Sequence, residues 1–152
     1  MQTDGFPTTA SSARDQLSGL LTGLINRSPG TAQALLAAGD GLKLAYTEQP
    51  VDDADNLAAV IVGLYSLARQ QFKDAPGGVR QVAVEHDGGS LFVMSAGVHF
   101  TDTKAVSTVL AVVASPDADP GQVGYEMDKL IKGLDEHLIV EARSNTFHGQ
   151  GL

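Results

Sequence analysis

Apolar residues near the N-terminal end of this chain recur at helical spacing. Between residues 17 and 25 they lie three and four positions apart, which is the spacing of one face of an α-helix. Ser12 and Asp15 precede this run in a capping-box pattern, so we expect the helix to begin at Ser12 and to end at Ser28-Pro29-Gly30. Its predicted core-facing residues are Leu17, Leu20, Leu21, Leu24 and Ile25.

Four short apolar segments form two pairs, and a turn containing glycine and aspartate joins each pair. Asp40 lies between two glycines in the first turn, and Asp87 precedes two glycines in the second. Such residues adopt the backbone conformations that tight turns require, so each pair predicts a β-hairpin. The predicted strands are Ala32–Ala38, Leu42–Thr47, Val79–His86 and Ser90–Phe100.

The segment Val106–Ala114 is apolar on both of its sides. A strand with one solvated face would alternate apolar and polar residues, so we expect this strand to be central, with helices on both faces of the sheet. Asp119 then predicts the cap of a last helix, with Pro120 at the first helical position and Gln122 at the third. The predicted core-facing residues of that helix are Val123, Met127, Leu130, Ile131, Leu134 and Leu138.

The order of these elements, together with one further helix between the hairpins, is α-β-β-α-β-β-β-α. This order predicts an α+β domain over residues 12–142, in which one five-stranded antiparallel sheet lies between two helical layers as an α/β/α sandwich. Residues 1–11 and 143–152 are mostly polar, and we expect both segments to be flexible tails.

The second helix is apolar on more than one side. Asp52 and Asp53 fit its capped start, and it should run to about Lys73. No residue from Asn56 to Ala68 is charged. Such a helix is buried all round, either as a central core helix or because a second chain covers it. We favour the second chain, because a domain with three helices has few elements left to cover another face. The predicted core stripe is Leu57, Val60, Ile61, Leu64, Ala68 and Phe72, and the nearly opposite stripe is Ala59, Val62, Gly63 and Ser66.

Composition adds to this picture. Charged residues make up 18% of the chain, below the typical value of about 25%, which indicates that another protein covers part of the surface. The net charge of −8 disfavours nucleic acid and anionic membranes as partners. The absence of cysteine excludes disulfides and thiolate metal sites. Because neither a signal-peptide pattern nor a membrane-spanning apolar run is present, we expect a cytoplasmic protein.

The sequence contains no recognisable pattern of catalytic or cofactor-binding residues. The turn around Asp40 lacks the third glycine and the lysine of a phosphate-binding loop. The histidines have no metal-ligand spacing, although His86 and His99 end neighbouring predicted strands and could meet in space. Asp117 and Asp119 resemble the start of a calcium loop, but the glycine that such a loop needs at its sixth position is absent. We therefore expect no enzymatic activity, no metal and no cofactor.

Arg80 has two interpretations. An arginine presented to a nucleotide hydrolase can neutralise charge in the transition state, which would make Arg80 a contact to a GTPase. An exposed arginine on an edge strand also discourages edge-to-edge aggregation, and this second interpretation is favoured.

Several segments in their order resemble the roadblock/dynein light chain family. They are the hairpin LLAAGDGLKLA at residues 35–45, the uncharged second helix, and the segment LAVVASPDADPG at residues 110–121. The resemblance covers about Ser12 to Ala142. It implies a profilin-like fold that homodimerises, with the second helices pairing and the third strands meeting edge to edge. The implied interface residues are Ala59, Val62, Gly63, Ser66, Val82 and Val84.

Bacterial members of this family typically regulate Ras-like small GTPases, and this chain looks most like the short actinobacterial ones. The resemblance therefore implies a non-enzymatic homodimeric regulator or scaffold of such a GTPase in a signalling complex, with a sensor histidine kinase-like protein as a further partner. We expect the GTPase to bind the acidic, solvated surface, because dimerisation uses the apolar stripe. Two alternatives stay open: a small-molecule sensor, which the low aromatic content disfavours, and a purely structural dimerisation module.

Overall fold

Three helices and five strands follow one another in this computed structural model, which describes residues 9–101 and 104–134. The helices are α1 (Thr9–Arg27), α2 (Val51–Gln71) and α3 (residues 120–134). The strands are β1 (Thr31–Ala38), β2 (Lys43–Tyr46), β3 (Gln81–His86), β4 (Gly89–Thr101) and β5 (Lys104–Ala114). The order of elements is the predicted one.

The five strands form one antiparallel sheet in the order β2-β1-β5-β4-β3. β5 lies at the centre, as its two-sided apolar pattern predicted. It pairs with β1, where Leu110 lies opposite Leu36, and with β4, where Ala111 lies opposite Val93. β2 and β3 are the edge strands. The predicted α+β fold with a five-stranded antiparallel sheet is confirmed.

Helices cover both faces of the sheet because neighbouring residues of β5 point to opposite sides. Leu110 belongs to a cluster on the face of α1 and α3, which also contains Leu24 and Met127. Ala111 belongs to a second cluster on the other face, where Ile61 of α2 packs. The structure is therefore an α/β/α sandwich with two helices on one face and α2 alone on the other.

A partly buried polar contact joins the end of α1 to the first half of α3. The Arg27 Nε donates to Glu126 Oε1 at 3.0 Å, and Glu126 is only 7% exposed. Asp119 caps α3 as predicted, since its Oδ1 accepts from the Gly121 amide at 3.0 Å. Gln122 does not complete the predicted capping box. Its Nε2 instead donates to the Arg27 carbonyl at 3.2 Å, which adds a second link between the two helices.

Both predicted hairpins are present, with small shifts at their ends. The Leu42 amide donates to Asp40 Oδ1 at 3.1 Å, which closes the first turn. β3 begins at Gln81, two residues later than expected, where its pairing with Met94 of β4 starts. The Val79 carbonyl accepts instead from the Tyr65 hydroxyl of α2 at 3.4 Å. β4 begins at Gly89, where a Cβ would lie 2.6 Å from the Ala114 carbonyl oxygen, so this position requires glycine.

The prediction for the start of α1 is wrong by three residues. The helix begins at Thr9, within the segment predicted as a tail, so Ser12 stands inside the helix and is not its cap. Leu17, Leu21 and Leu24 are buried as predicted, whereas Leu20 is exposed. At about 100° per residue Leu20 lies to one side of the line that the three buried leucines form.

The predicted start and core stripe of α2 also need correction. The N-cap is Pro50, which makes no side-chain capping bond, so Asp52 and Asp53 are first-turn acids and not caps. The fully buried residues of α2 are Ala54, Ala58 and Ile61. Two residues predicted to be core are exposed instead. Val60 is 43% exposed because the helix is rotated toward its alanines, and Phe72 is 62% exposed because α2 ends at Gln71 and Phe72 is its C-cap.

Some predictions fall outside the described residues. These are the tail at 143–152, residues 1–8 of the first tail, the core position Leu138, and the side chains of Ser12 and His99. Within residues 9–101 and 104–134, no helix combines the length and apolar character needed to cross a membrane.

Candidate interaction surface

The outward side of α2 is uncharged over most of its length. Ala59, Gly63 and Ser66 of the predicted interface are all exposed. Leu67, which belonged to neither predicted stripe, is 71% exposed. A lone exposed leucine is ordinary, but here it lies beside Val60 and Gly63 on a helix that has no charged residue from 56 to 68. We name this surface, formed by Ala59, Val60, Gly63, Ser66 and Leu67, the α2 face.

Val62 does not lie fully on the α2 face, although it was predicted as part of that stripe. It is half-buried and packs against the cluster formed by Leu35, Val93 and their neighbours. At about 100° per residue, Val62 is turned from Ile61 toward the flank of the helix. It therefore supports the packing of α2 on the sheet and presents only part of its surface to a partner.

The edge strand β3 adjoins the end of α2. Within the described residues β3 pairs only with β4, and its six residues leave one backbone edge unpaired. Val82 is half-buried and packs on the α2 side of the sheet, whereas Val84 is exposed. An unpaired edge presents free N–H and C=O groups to a further strand.

Arg80 lies at the rim of a groove between α2 and β3. The groove has a volume of about 820 Å³, and both the end of α2 and the loop that leads to β3 line it. Arg80 is exposed, and Arg69 and Lys73 from α2 lie around the same groove. The structure thus brings the α2 face, the edge of β3 and Arg80 to one side of the molecule. The complete lining is Tyr65, Ser66, Arg69, Gln70, Phe72, Lys73, Ala75, Pro76, Gly77, Gly78, Val79, Arg80 and Gln81.

Leu67 and Phe72 are the surface residues that sequence reasoning missed or misplaced. Helical spacing places Phe72 in the core only if the helix continues through it, whereas α2 ends at Gln71 and Phe72 is its C-cap. The uncharged run from Asn56 to Ala68 was the usable signal, because an exposed side of such a helix must contain whichever apolar residues the core does not use.

The residues considered for metal binding are not brought together. Within the described ranges, no three His, Asp or Glu side chains are placed to hold a metal ion. His86 lies opposite Gly89 at the start of β4, and His99 lies ten residues further along that strand. The two are therefore roughly 30 Å apart, and the expectation that they could meet is wrong. The exposed His86 instead accepts from the Gly88 amide through Nδ1 at 2.8 Å.

Some other charged groups of the described residues form local ion pairs. Asp55 binds Lys43 at 2.5 Å between the start of α2 and β2. On the solvent side of α3, Asp128 accepts from Lys132 one turn later at 2.9 Å. This hydrogen bond, and after it the charge of Asp128, raises the pKa of Lys132. Both groups are exposed on the face opposite α2, so this pair does not shape the candidate surface.

The profile of the Roadblock/LC7 domain matches residues 17–101, which is more than half of the chain. The chain belongs to the Roadblock/LC7 domain family. No curated protein sequence matches it. This assignment confirms the resemblance seen in the sequence.

Solved structures agree with this family. The crystal structure of a Roadblock/LC7 domain from Streptomyces avermitilis is 40% identical, with a TM-score of 0.72, over 80% of this chain and 97% of that one. The gliding protein MglB from Thermus thermophilus is 18% identical, with a TM-score of 0.67, over 88% and 93%. A structure of MglB with a tetrameric arrangement is 16% identical, with a TM-score of 0.70, over 86% and 93%. The two MglB structures show that the fold is shared.

Proposed function

We propose that this protein is a non-enzymatic, cytoplasmic homodimer that regulates or scaffolds a Ras-like small GTPase. The α2 face is the observation that supports the dimer. It is an uncharged helical surface beside an edge of β3 that pairs with no other strand of the described residues. Membership of the Roadblock/LC7 domain family supports a GTPase as the partner, because bacterial roadblock proteins typically act on Ras-like GTPases. A sensor histidine kinase-like partner stays a prediction.

The α2 face suits a second copy of the same chain. Ala59, Gly63 and Ser66 are small, so two helix backbones can approach closely, and a two-fold axis places the same surface against itself. Gly63 costs the helix roughly 1 kcal/mol relative to alanine. A Cβ at Gly63 would meet nothing within 4 Å inside the protomer. Packing inside the protomer therefore does not require glycine at this position, whereas close contact with a second helix would.

Regulation of a GTPase needs no catalytic residue in this chain. Arg80, at the rim of the groove, is the candidate contact to the nucleotide site of the GTPase, and the acidic remainder of the surface is the candidate docking area. The small-molecule sensor is less well supported. Its ligand would lie between sheet and helices, where the fully buried Leu24, Leu110, Ile61 and Ala111 fill the layers.

The dimer is tested by Gly63→Arg, with Gly19→Arg in α1 as the matched control. Both glycines are helical, exposed and free of neighbours within 4 Å, so neither change should unfold the protomer. In light scattering after size exclusion, we expect the wild type and Gly19→Arg to be dimers and Gly63→Arg to be a folded monomer. A folded, dimeric Gly63→Arg would remove the α2 face from the interface.

The role in GTPase regulation is tested with a Ras-like GTPase from the same organism, loaded with either GDP or a non-hydrolysable GTP analogue. We expect binding in one nucleotide state to be clearly tighter than in the other. Equal affinity for both states would favour the purely structural module, and no binding in either state would contradict the proposal. Arg80→Ala should reduce any acceleration of hydrolysis if Arg80 contacts the nucleotide site.

A further inference from the structure

The two hairpin turns of the sheet each contain an aspartate followed by a glycine. Asp40-Gly41 lies between β1 and β2, and Asp87-Gly88 lies between β3 and β4. In such a pair the side-chain carboxyl can react with the next backbone amide, because glycine has no Cβ that blocks the approach. The product is a five-membered succinimide ring, which water then opens. The surroundings of the two pairs differ, and the difference indicates which pair reacts.

The turn between β3 and β4 places a base on the amide that would react. The Gly88 amide donates to His86 Nδ1 at 2.8 Å. A backbone amide is a poor nucleophile while it keeps this proton, because its lone pair is delocalised into the carbonyl group. A general base must lie within hydrogen-bond reach of the proton that it removes, and an imidazole gains and releases protons near neutral pH. His86 is therefore positioned to make the Gly88 nitrogen reactive.

The carboxyl group of Asp87 can reach this nitrogen without losing a partner. Asp87 and Gly88 are both exposed, and within residues 9–101 and 104–134 the Asp87 carboxylate takes part in no hydrogen bond or ion pair. A Cβ built on Gly88 would lie 3.3 Å from His86 Nδ1 and 3.6 Å from its Cε1, and in the described part of the chain no other residue beyond its chain neighbours comes within 4 Å. The imidazole is thus the one group that crowds the Gly88 amide.

The turn between β1 and β2 keeps the same two groups apart. Asp40 Oδ1 accepts from the Leu42 amide at 3.1 Å, so turning this carboxyl toward Gly41 would break a hydrogen bond. The Gly41 amide donates to the Ala38 carbonyl at 2.9 Å, and a carbonyl oxygen does not take up the proton at neutral pH. Asp40-Gly41 therefore has neither a base nor an unengaged carboxyl, and it serves as an internal reference in the same molecule.

We propose that Asp87 is a site of covalent isomerisation, at which His86 acts as the base that converts the residue to isoaspartate. The Gly88 nitrogen bonds to Cγ of the protonated Asp87 carboxyl while its own proton passes to His86 Nδ1. The carboxyl C–OH bond breaks, and the hydroxyl leaves as water with the proton that the imidazolium returns. Water next adds to the ring carbonyl that was the Asp87 backbone carbonyl. The bond from that carbon to the Gly88 nitrogen breaks, which leaves the chain running through Cγ. One water is released and one is consumed, so no further reactant is needed.

The isomerised residue would change the turn that ends the edge strand β3. Its backbone has one additional carbon, and its carboxylate is attached directly to Cα. The turn has two residues between the paired His86 and Gly89, and the length of such a turn fixes the register of its hairpin. We therefore expect the end of β3 to pair less well with β4 after the reaction. This inference goes beyond the proposed function and does not rest on it, because neither a dimer nor a GTPase takes part.

The two turns can be compared in one experiment on the full chain, kept folded in neutral buffer for several weeks. Trypsin should release Asp40 in the peptide of residues 28–43 and Asp87 in the peptide of residues 81–104. An isoaspartyl peptide has the same mass as its parent but a different retention time, and electron-transfer fragmentation identifies the β-linkage. We expect isoaspartate to accumulate at least several-fold faster at Asp87 than at Asp40. Equal rates at the two residues, or a faster rate at Asp40, would overturn the proposal.

Two variants of His86 separate the base from the hydrogen bond. His86→Asn keeps a side-chain oxygen that can accept from the Gly88 amide but cannot take its proton, whereas His86→Ala removes both functions. We expect both variants to isomerise several-fold more slowly at Asp87 and to be unchanged at Asp40. His86 is exposed at the end of β3, so neither variant should unfold, which circular dichroism checks. A wild-type rate in His86→Asn would show that the imidazole is not the base.

Gly88→Ala tests whether the ring forms at this amide. The added Cβ would crowd the imidazole and the approach of the carboxyl, so isoaspartate at Asp87 should nearly disappear while Asp40 stays as before. A wild-type rate in this variant would contradict attack by the Gly88 nitrogen. The comparison of Asp87 with Asp40 in the wild type stands whether or not the variants fold.

Discussion

The two faces of the sheet are covered by helices in different ways. On one face α1 and α3 lie side by side, joined by the ion pair of Arg27 with the buried Glu126, and they cover leucine-rich positions of the sheet. On the other face α2 lies alone over a smaller cluster that is rich in alanine, such as Ala58 and Ala111. Among residues 9–101 and 104–134, two helices cover the first face, whereas no other element covers the uncharged outward side of α2. We therefore expect the first face to provide most of the protomer's stability, and the outward side of α2 is the candidate surface for association.

The largest expected effect is on the face of α1 and α3. Leu24→Ala removes a fully buried side chain from the larger cluster, so we expect the free energy of unfolding to fall by about 2–5 kcal/mol. Chemical denaturation measures this loss. Leu67→Ala on the α2 face is the control, and it should leave the stability of the monomer nearly unchanged. Equal losses in the free energy of unfolding at Leu24 and Leu67 would contradict the difference between the two faces.

A smaller loss is expected when the link between α1 and α3 is broken. Glu126→Ala removes the acceptor of the Arg27 Nε, and we expect a cost of about 1–2 kcal/mol, because Arg27 itself stays half-exposed. Thermal unfolding of Glu126→Ala beside Asp128→Ala gives the measurement. Asp128 lies in an exposed pair, so its removal should have little effect. If Glu126→Ala loses as little thermal stability as Asp128→Ala, the contact between Arg27 and Glu126 does not stabilise this face.

On the α2 face the effect should appear in association and not in folding. Leu67→Ala removes exposed apolar surface that the dimer would bury, and a loss of about 1 kcal/mol corresponds to a roughly fivefold weaker dimer. Analytical ultracentrifugation at several concentrations gives the dissociation constant. Leu20→Ala, an exposed leucine of α1, should leave the constant unchanged. A weaker dimer in that control would place the interface on the other face.

The smallest expected effect is the salt dependence of GTPase binding. If the GTPase binds the acidic, solvated surface, its affinity should fall several-fold as salt rises well above physiological strength, where the screening length is already about 8 Å. Titration of the GTPase at three salt concentrations measures this. Affinity that is constant or increases with salt would indicate docking on apolar surface instead.

Much of the fold could be predicted because it depends on local patterns. The glycine-containing turns after Ala38 and His86 are sufficient to indicate hairpins, since few other residues adopt the required backbone. β5 could be placed at the centre of the sheet because residues such as Leu110 and Ala111 are apolar on opposite sides. These signals come from neighbouring residues, so the sequence contains them directly.

The candidate surface was only partly predictable. The uncharged run from Asn56 to Ala68 correctly indicated an unusual helix, and Gly63 of the predicted stripe is exposed, as a contact residue must be in the protomer. Val60 was assigned to the core but is exposed, and Val62 was assigned to the opposite stripe but is half-buried, because periodicity does not fix which side of a uniformly apolar helix meets the sheet. The alanines at 54 and 58 fix it, since they allow α2 to approach the sheet closely.

The sequence by itself determined the order of elements, the hairpins, the central strand and the family of this protein, because each depends on spacing between near neighbours. Tertiary structure alone decided the rotation of α2, the groove that brings Arg80 to Arg69, and the contact of Arg27 with Glu126 across 99 positions of the chain. Such contacts form only when the sheet has set the distances between its covering helices. The pattern of any one segment therefore does not contain them.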